Sequence, residues 1–137
     1  MIIIGLDGKE YSWIPSNNIV DTSKRSGLHN KAKELLKEKY PNDRILEELV
    51  LPGTKTGTRK TLLRTDFFIP VRSLIVEVHG QQHTEFNNFF FANKMEFYKA
   101  QARDRDKKSW CELNNLNLIE LFHDESIDEW KDKIWKT

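Results

Sequence analysis

Apolar side chains recur at Leu28, Ala32, Leu35 and Leu36, the i, i+4, i+7, i+8 stripe of a helix with one buried face. Ser23 or Ser26 can cap that helix and Pro41 ends it, which predicts a helix over 26–39. The pattern then shortens. ILEELVLP (45–52), TLLRTDFFIP (61–70) and SLIVEVHG (73–80) are runs rich in β-branched and aromatic residues, which predict three strands in a meander, with a mobile Gly/Thr/Lys loop over 53–60. A charged stretch with apolar positions at Met95, Phe97, Tyr98, Ala102 and Trp110 predicts a second helix over about 93–114. LNLIELF (116–122) reads as a fourth strand, and SIDEWKDKIW (126–135) as a closing helix capped by Ser126. Ahead of these, IIIGLDGKEYSWI reads as two short strands turning at Asp7-Gly8, a dipeptide that tolerates positive φ, and 15–23 is polar and irregular. The order predicts one α/β domain over 1–137, a central mixed β-sheet flanked by helices, with a small N-terminal hairpin and linker over 1–25 and the core over 26–137.

The second and third strands of that meander meet through Pro70-Val71-Arg72-Ser73. A symmetric hairpin there pairs Ile69 with Leu74, and every further pair has the same index sum, so Asp66 falls opposite Glu77. Directly opposed side chains stand roughly 4.5 to 5.5 Å apart at Cβ, and two carboxylates at that distance repel unless something positive lies between them. A bound cation answers this economically. Hard divalent ions such as Mg²⁺ take one or two protein carboxylates together with water and substrate phosphate, so the pair is a candidate phosphodiester site. The structural alternatives are a bulge in the turn, which would send one carboxylate to the other face, and Arg64 as the neutralising charge. Glu77 also interrupts an otherwise apolar strand, where an unused charge is costly. His79 shares its face by strand alternation, opposite Arg64 in the same register, and His83 follows Gly80 at the strand exit. An imidazole there can orient or deprotonate a water, or protonate a leaving oxygen. His79 and His83 with a nearby acid would also suit zinc, but the pair is split between strand and loop.

Composition narrows the classes. The 137 residues suit one domain, and 38% hydrophobic with 31% charged residues describes a globular chain rather than a disordered one. No run approaches the roughly 18 apolar residues of a membrane span, and no secretory leader is recognisable, which predicts a cytoplasmic protein, or one in the host-cell cytosol if phage-encoded. The lone Cys111 supplies neither an internal disulfide nor a cysteine cluster for zinc, and reads as a small semi-buried hydrophobe. A net charge of +1 is not the signature of a protein that coats DNA by charge alone, and neither supports nor excludes nucleic acid. Basic residues cluster locally, at Lys55, Arg59, Lys60 and Arg64 and again at Lys99, Arg103, Arg105, Lys107 and Lys108.

The string DFFIPVRSLIVEVHGQQH, followed by RDRDKKSWCELNNLNLIEL, resembles the PD-(D/E)XK endonuclease superfamily, in particular the branch of the very-short-patch-repair mismatch endonuclease and the EDxHD-type homing endonucleases. The resemblance covers roughly residues 26–135. It implies a restriction-endonuclease-like fold and a DNA endonuclease that requires Mg²⁺, with Mn²⁺ as a substitute. Asp66 and Glu77 match the metal-binding acids, and His79 stands where the superfamily pattern has lysine, which the histidine-using branch shares. His83 matches that branch's second histidine, and Asp104 the acid that orients a histidine. The remaining acid is one of Glu34, Glu47 and Glu48; strand alternation sends only one of the last two to the active face, and Glu48 is preferred.

FNNFFF (86–91) concentrates phenylalanines after His83. It reads either as a core plug or as a wedge, Phe89 and Phe90 included, that unstacks bases in the manner the mismatch-endonuclease branch resembles. Lys60, Arg64, Arg103 and Lys107 are the candidate phosphate contacts. The expected partner is double-stranded DNA, with a homodimer or an accessory DNA-binding protein as further possibilities. Two other classes compete: a non-catalytic DNA-binding module on the same fold, and a metal-binding structural protein.

Overall fold

The computed structural model describes residues 1–16, 27–80 and 94–137. Among these the chain forms β1 (Ile2–Ile4), β2 (Glu10–Ser12), α1 (Gly27–Lys39), β3 (Leu46–Val50), β4 (Arg64–Ile69), β5 (Leu74–His79), α2 (Lys94–Leu113), β6 (Asn117–Phe122) and α3 (Ile127–Trp135). β1 and β2 make the small antiparallel hairpin. The remaining strands form one mixed sheet in the order β3-β4-β5-β6, antiparallel through β5 and parallel between β5 and β6, as a crossover through α2 requires. The fold is thus mixed α/β. Ser126 caps α3 as its sequence position predicts, accepting the Glu129 N–H at 3.1 Å.

Strand alternation divides the core into two layers. Phe67, Ile69, Leu74, Val76, Ile119 and Leu121 face Ala32, Leu35 and Leu36 of α1 and Trp130 and Ile134 of α3. Phe68 and Ile75 point the other way, to Trp110 and Cys111 of α2 and to Ile3 and Trp13 of the N-terminal segment. Trp13 stacks on Phe68 with ring centroids 5.1 Å apart, which seals the hairpin to the sheet. Glycine is obligatory at the seam: Gly53 has φ +74°, and a Cβ on it would come within 2.5 Å of Gly5 Cα.

The loop over 53–60, expected to be mobile, is instead tied at both ends. Thr54 Oγ1 donates to Leu51 O at 2.7 Å and accepts the Leu63 N–H at 2.8 Å. Arg59 spans Thr54 O at 2.8 Å and Asp106 of α2 at 2.9 Å, so this loop is braced against a helix.

Candidate active site

β4 and β5 keep the register that hairpin symmetry requires, Ile69↔Leu74, Phe68↔Ile75 and Phe67↔Val76, although the connection is a 3₁₀ turn over Pro70–Arg72 closed by a left-handed Ser73. The ladder stops one position short of Asp66 and Glu77. There the Asp66 carboxylate replaces a backbone partner, accepting the Val78 N–H at 2.8 Å. Its neighbour Glu77 is only 4% exposed. Burial holds the Glu77 carboxyl well above the usual carboxylate range, and the adjacent Asp66 charge pushes the same way, whereas Lys107 pulls it back. The Lys107 ammonium on α2 lies 3.1 Å from Glu77 Oε1, an ion pair without hydrogen-bond geometry, since that oxygen accepts no hydrogen bond. Lys107 therefore faces inward as a counter-ion, which corrects its expected place on a phosphate-binding surface. Burial, reinforced by the Glu77 charge, also pushes the Cys111 thiol up to about 12, and the residue is buried rather than, as expected, semi-buried.

His79 follows on the same face and is 3% exposed. Its Nε2 lies 3.4 Å from Glu120 Oε1 and its Nδ1 3.9 Å from Asp104 Oδ2, and the ring stacks on Phe122 at 5.0 Å. Sequence reasoning assigned Asp104 to a histidine without choosing between His79 and His83, and the described contact is with His79. Glu120 is an acid that reasoning missed. It is the register partner of Glu77 in β6 and pairs also with Lys108 at 3.3 Å. The neighbouring His79 imidazole, more than the Lys108 charge, holds the Glu120 carboxyl below the ordinary range. Its signal was legible, a lone charge inside LNLIELF, the same signal that marked Glu77. Arg64 pairs with Val50 rather than His79, because the β4–β5 ladder has ended before it.

A third cluster enters from the other side of Asp66. β3 pairs with β4 at Leu46↔Phe68, Glu47↔Phe67, Leu49↔Thr65 and Val50↔Arg64, skipping the position where Glu48 faces Asp66. Glu48 has φ 55°, the left-handed region that a non-glycine residue rarely occupies. That single residue breaks strand alternation, which corrects the expectation that only one of Glu47 and Glu48 turns to the site. Both carboxylates meet His29 of α1: Nε2 to Glu47 Oε1 at 3.0 Å and Nδ1 to Glu48 Oε1 at 3.8 Å, with Asp66 Oδ1 3.9 Å from Nδ1. His29 is 5% exposed and stacks on Phe67 at 4.4 Å, and Lys33 holds the other Glu47 oxygen at 3.1 Å. His29, Glu48 and Asp66 offer ligand atoms that all lie within 4.8 Å of one another. Sequence reasoning passed over His29, although 29, 32 and 36 share the buried stripe of α1. Glu34, the remaining alternative, is exposed.

Among the candidate DNA contacts, Lys60, Arg64 and Arg103 are exposed. His83, Phe89 and Phe90, with the rest of FNNFFF, lie outside the described residues, as do Ser23 and Ser26. No helix among the described residues is long and apolar enough to cross a membrane.

The chain is similar to two curated viral proteins. Over 59 residues it is 42% identical to "Uncharacterized protein 033L" of Invertebrate iridescent virus 3 and, again over 59 residues, 41% identical to "Uncharacterized protein 307L" of Invertebrate iridescent virus 6. In each case the match covers 43% of this chain and 30% of the relative, so the chain spans under a third of the curated relatives it matches. No family model and no solved structure matches it.

Proposed function

We propose that this chain is a divalent-metal-dependent DNA endonuclease on a restriction-endonuclease-like sheet, with the phosphodiester bond of double-stranded DNA as its substrate. The observation that supports it most is the meeting of Asp66 and Glu77 where the β4–β5 ladder ends. A carboxylate 4% exposed and with Oε1 accepting no hydrogen bond is a costly thing to bury beside a second one. A hard cation fits this donor set. Asp66 and Glu77 would hold Mg²⁺, or Mn²⁺ in its place, and the bound ion supplies Lewis acidity and a water of lowered pKa.

The chain's own groups would do the rest. His79, flanked by Glu120 and Asp104, moves a proton at one imidazole nitrogen while the carboxylates fix the ring. Lys107 keeps the excess negative charge near Glu77 from repelling a phosphate. Exposed Lys60, Arg64 and Arg103 hold the backbone at a distance from the chemistry. Host-cell cytoplasm is the proposed location, supported by the viral source of both relatives.

The test is nicking of supercoiled and mismatched DNA with Mg²⁺ or Mn²⁺. Asp66→Ala and Glu77→Ala are expected to reduce cleavage to background, and His79→Ala to slow it by about 10²- to 10⁴-fold. Undiminished cleavage by both carboxylate variants sinks the site. One observation favours a second reading, a DNA-binding module without catalysis: Lys107 already neutralises Glu77 internally. That reading predicts DNA binding without cleavage by the wild-type chain on any substrate.

A further inference from the structure

His29 is held between carboxylates that face both of its ring nitrogens. Glu47 is paired with Lys33 at 3.1 Å and sits 3.0 Å from His29 Nε2, so the carboxylate accepts and Nε2–H donates. In the neutral ring Nδ1 then carries the lone pair, and it faces Glu48 Oε1 at 3.8 Å and Asp66 Oδ1 at 3.9 Å. Three acceptor atoms converge on one point. A carboxylate that orients a histidine through its far nitrogen is the arrangement metal-binding imidazoles adopt.

Distances agree with that use. Two ligands about 2.1 Å from one ion are separated by about 3 Å when adjacent and at most about 4.2 Å when opposite. The two separations from His29 Nδ1 fall inside that range. The ammonium groups of Lys33 and Lys107 stand on Glu47 and Glu77, the outer carboxylates, and the inner pair faces the imidazole. Glu77, on the far side of Asp66, is turned instead to Lys107, its Oε1 3.1 Å from that ammonium.

We propose that His29, Glu48 and Asp66 bind a first-row transition ion, of the Co²⁺, Fe²⁺ or Zn²⁺ class, with Glu47 as the positioning residue for the imidazole. A nitrogen ligand favours such ions, whereas Mg²⁺ prefers oxygen throughout. The left-handed Glu48 belongs to this arrangement, since an extended residue there would turn its carboxylate away from Glu47's side of the strand. As an account of cofactor choice this rests on the nuclease reading, through the shared Asp66; as a binding site it rests on the geometry alone.

The full chain is titrated with Co²⁺ by calorimetry, with the visible spectrum recorded alongside, and again with Mg²⁺. Co²⁺ is expected to bind at least about tenfold more tightly than Mg²⁺, with ligand-field bands that report a nitrogen ligand. His29→Gln is expected to weaken Co²⁺ binding by about tenfold or more and to alter those bands, whereas His79→Gln leaves them in place. Glu47→Gln weakens binding by about 10- to 100-fold through the imidazole. Should His29→Gln fail to fold by circular dichroism, Glu48→Gln takes its place, on a half-buried side chain. No Co²⁺ binding by the folded wild type, or binding unchanged by the folded variants, overturns the proposal. Co²⁺ binding without cleavage of any DNA removes the nuclease reading alone, and Mg²⁺-dependent cleavage without Co²⁺ binding removes this site alone.

Discussion

Lys107 and Glu77 form the most enclosed ion pair of the α2 face, their side chains 15% and 5% exposed. Removing one partner of such a pair strands the other charge and costs about 3–5 kcal/mol, whereas replacing both with apolar groups is often neutral. Glu77 has an escape, because its raised carboxyl can take up a proton. Lys107→Met is therefore expected to cost about 3 kcal/mol, the lower end of that range, with most of it returned by Glu77→Leu in the same chain. Urea midpoints at constant slope measure this, and a fully stable single variant would mean that the pair is not ionic. Glu120 shows the opposite sign. Its carboxyl lies below its unfolded value, so its contribution is present above the unfolded pKa and is lost as pH falls through the folded one. Glu120→Gln should flatten the acid limb of the stability curve by lowering stability at neutral pH while leaving the acid end nearly unchanged, as thermal melts across pH will report.

At the scale of elements, one strand carries the strain. A left-handed non-glycine residue costs about 1–2 kcal/mol, and β3 bears that at Glu48. Glycine occupies this region freely, so Glu48→Gly is expected to raise the melting temperature of the metal-free protein or hold it level, despite deleting a side chain. The same change should weaken Co²⁺ binding by about tenfold or more, so stability and metal affinity move in opposite directions. A clear loss of stability would show that Glu48 is held by packing rather than strained for a task. This residue also marks the limit of what local sequence conveys. Asp66 and Glu77 are legible because register is arithmetic once a turn is placed, and His79 follows from strand alternation, whereas Asp104 came from the family resemblance alone. Nothing in Glu47-Glu48 announces a positive φ, since the backbone there is set by neighbours across the sheet. His29 was hidden differently: a polar residue on an apolar stripe looks like an irregularity of α1 until the carboxylates of β3 arrive opposite it.

Across the whole molecule the layers were legible and the bracing was not. Alternation within β4 and β5 sorts Phe67 from Phe68 and assigns each to a core, but that Arg59 would reach Asp106 depends on where α2 passes over the loop. The same placement decides which basic residues remain for DNA. A net charge of +1 gives little general attraction, so the proposed DNA binding would have to come from local cations. Each cation that holds a phosphate contributes about −0.9 to the slope of log affinity against log salt. With Lys60, Arg64 and Arg103 exposed, the expected slope on duplex DNA is about −2.7, and alanine at any one of them reduces it by about 0.9. Lys107→Met, measured where that variant is folded, should leave the slope unchanged because its ammonium is spent on Glu77. A slope that falls equally for Lys107 would instead mean that DNA draws this lysine out of the pair, and that Glu77 must then find its cation elsewhere.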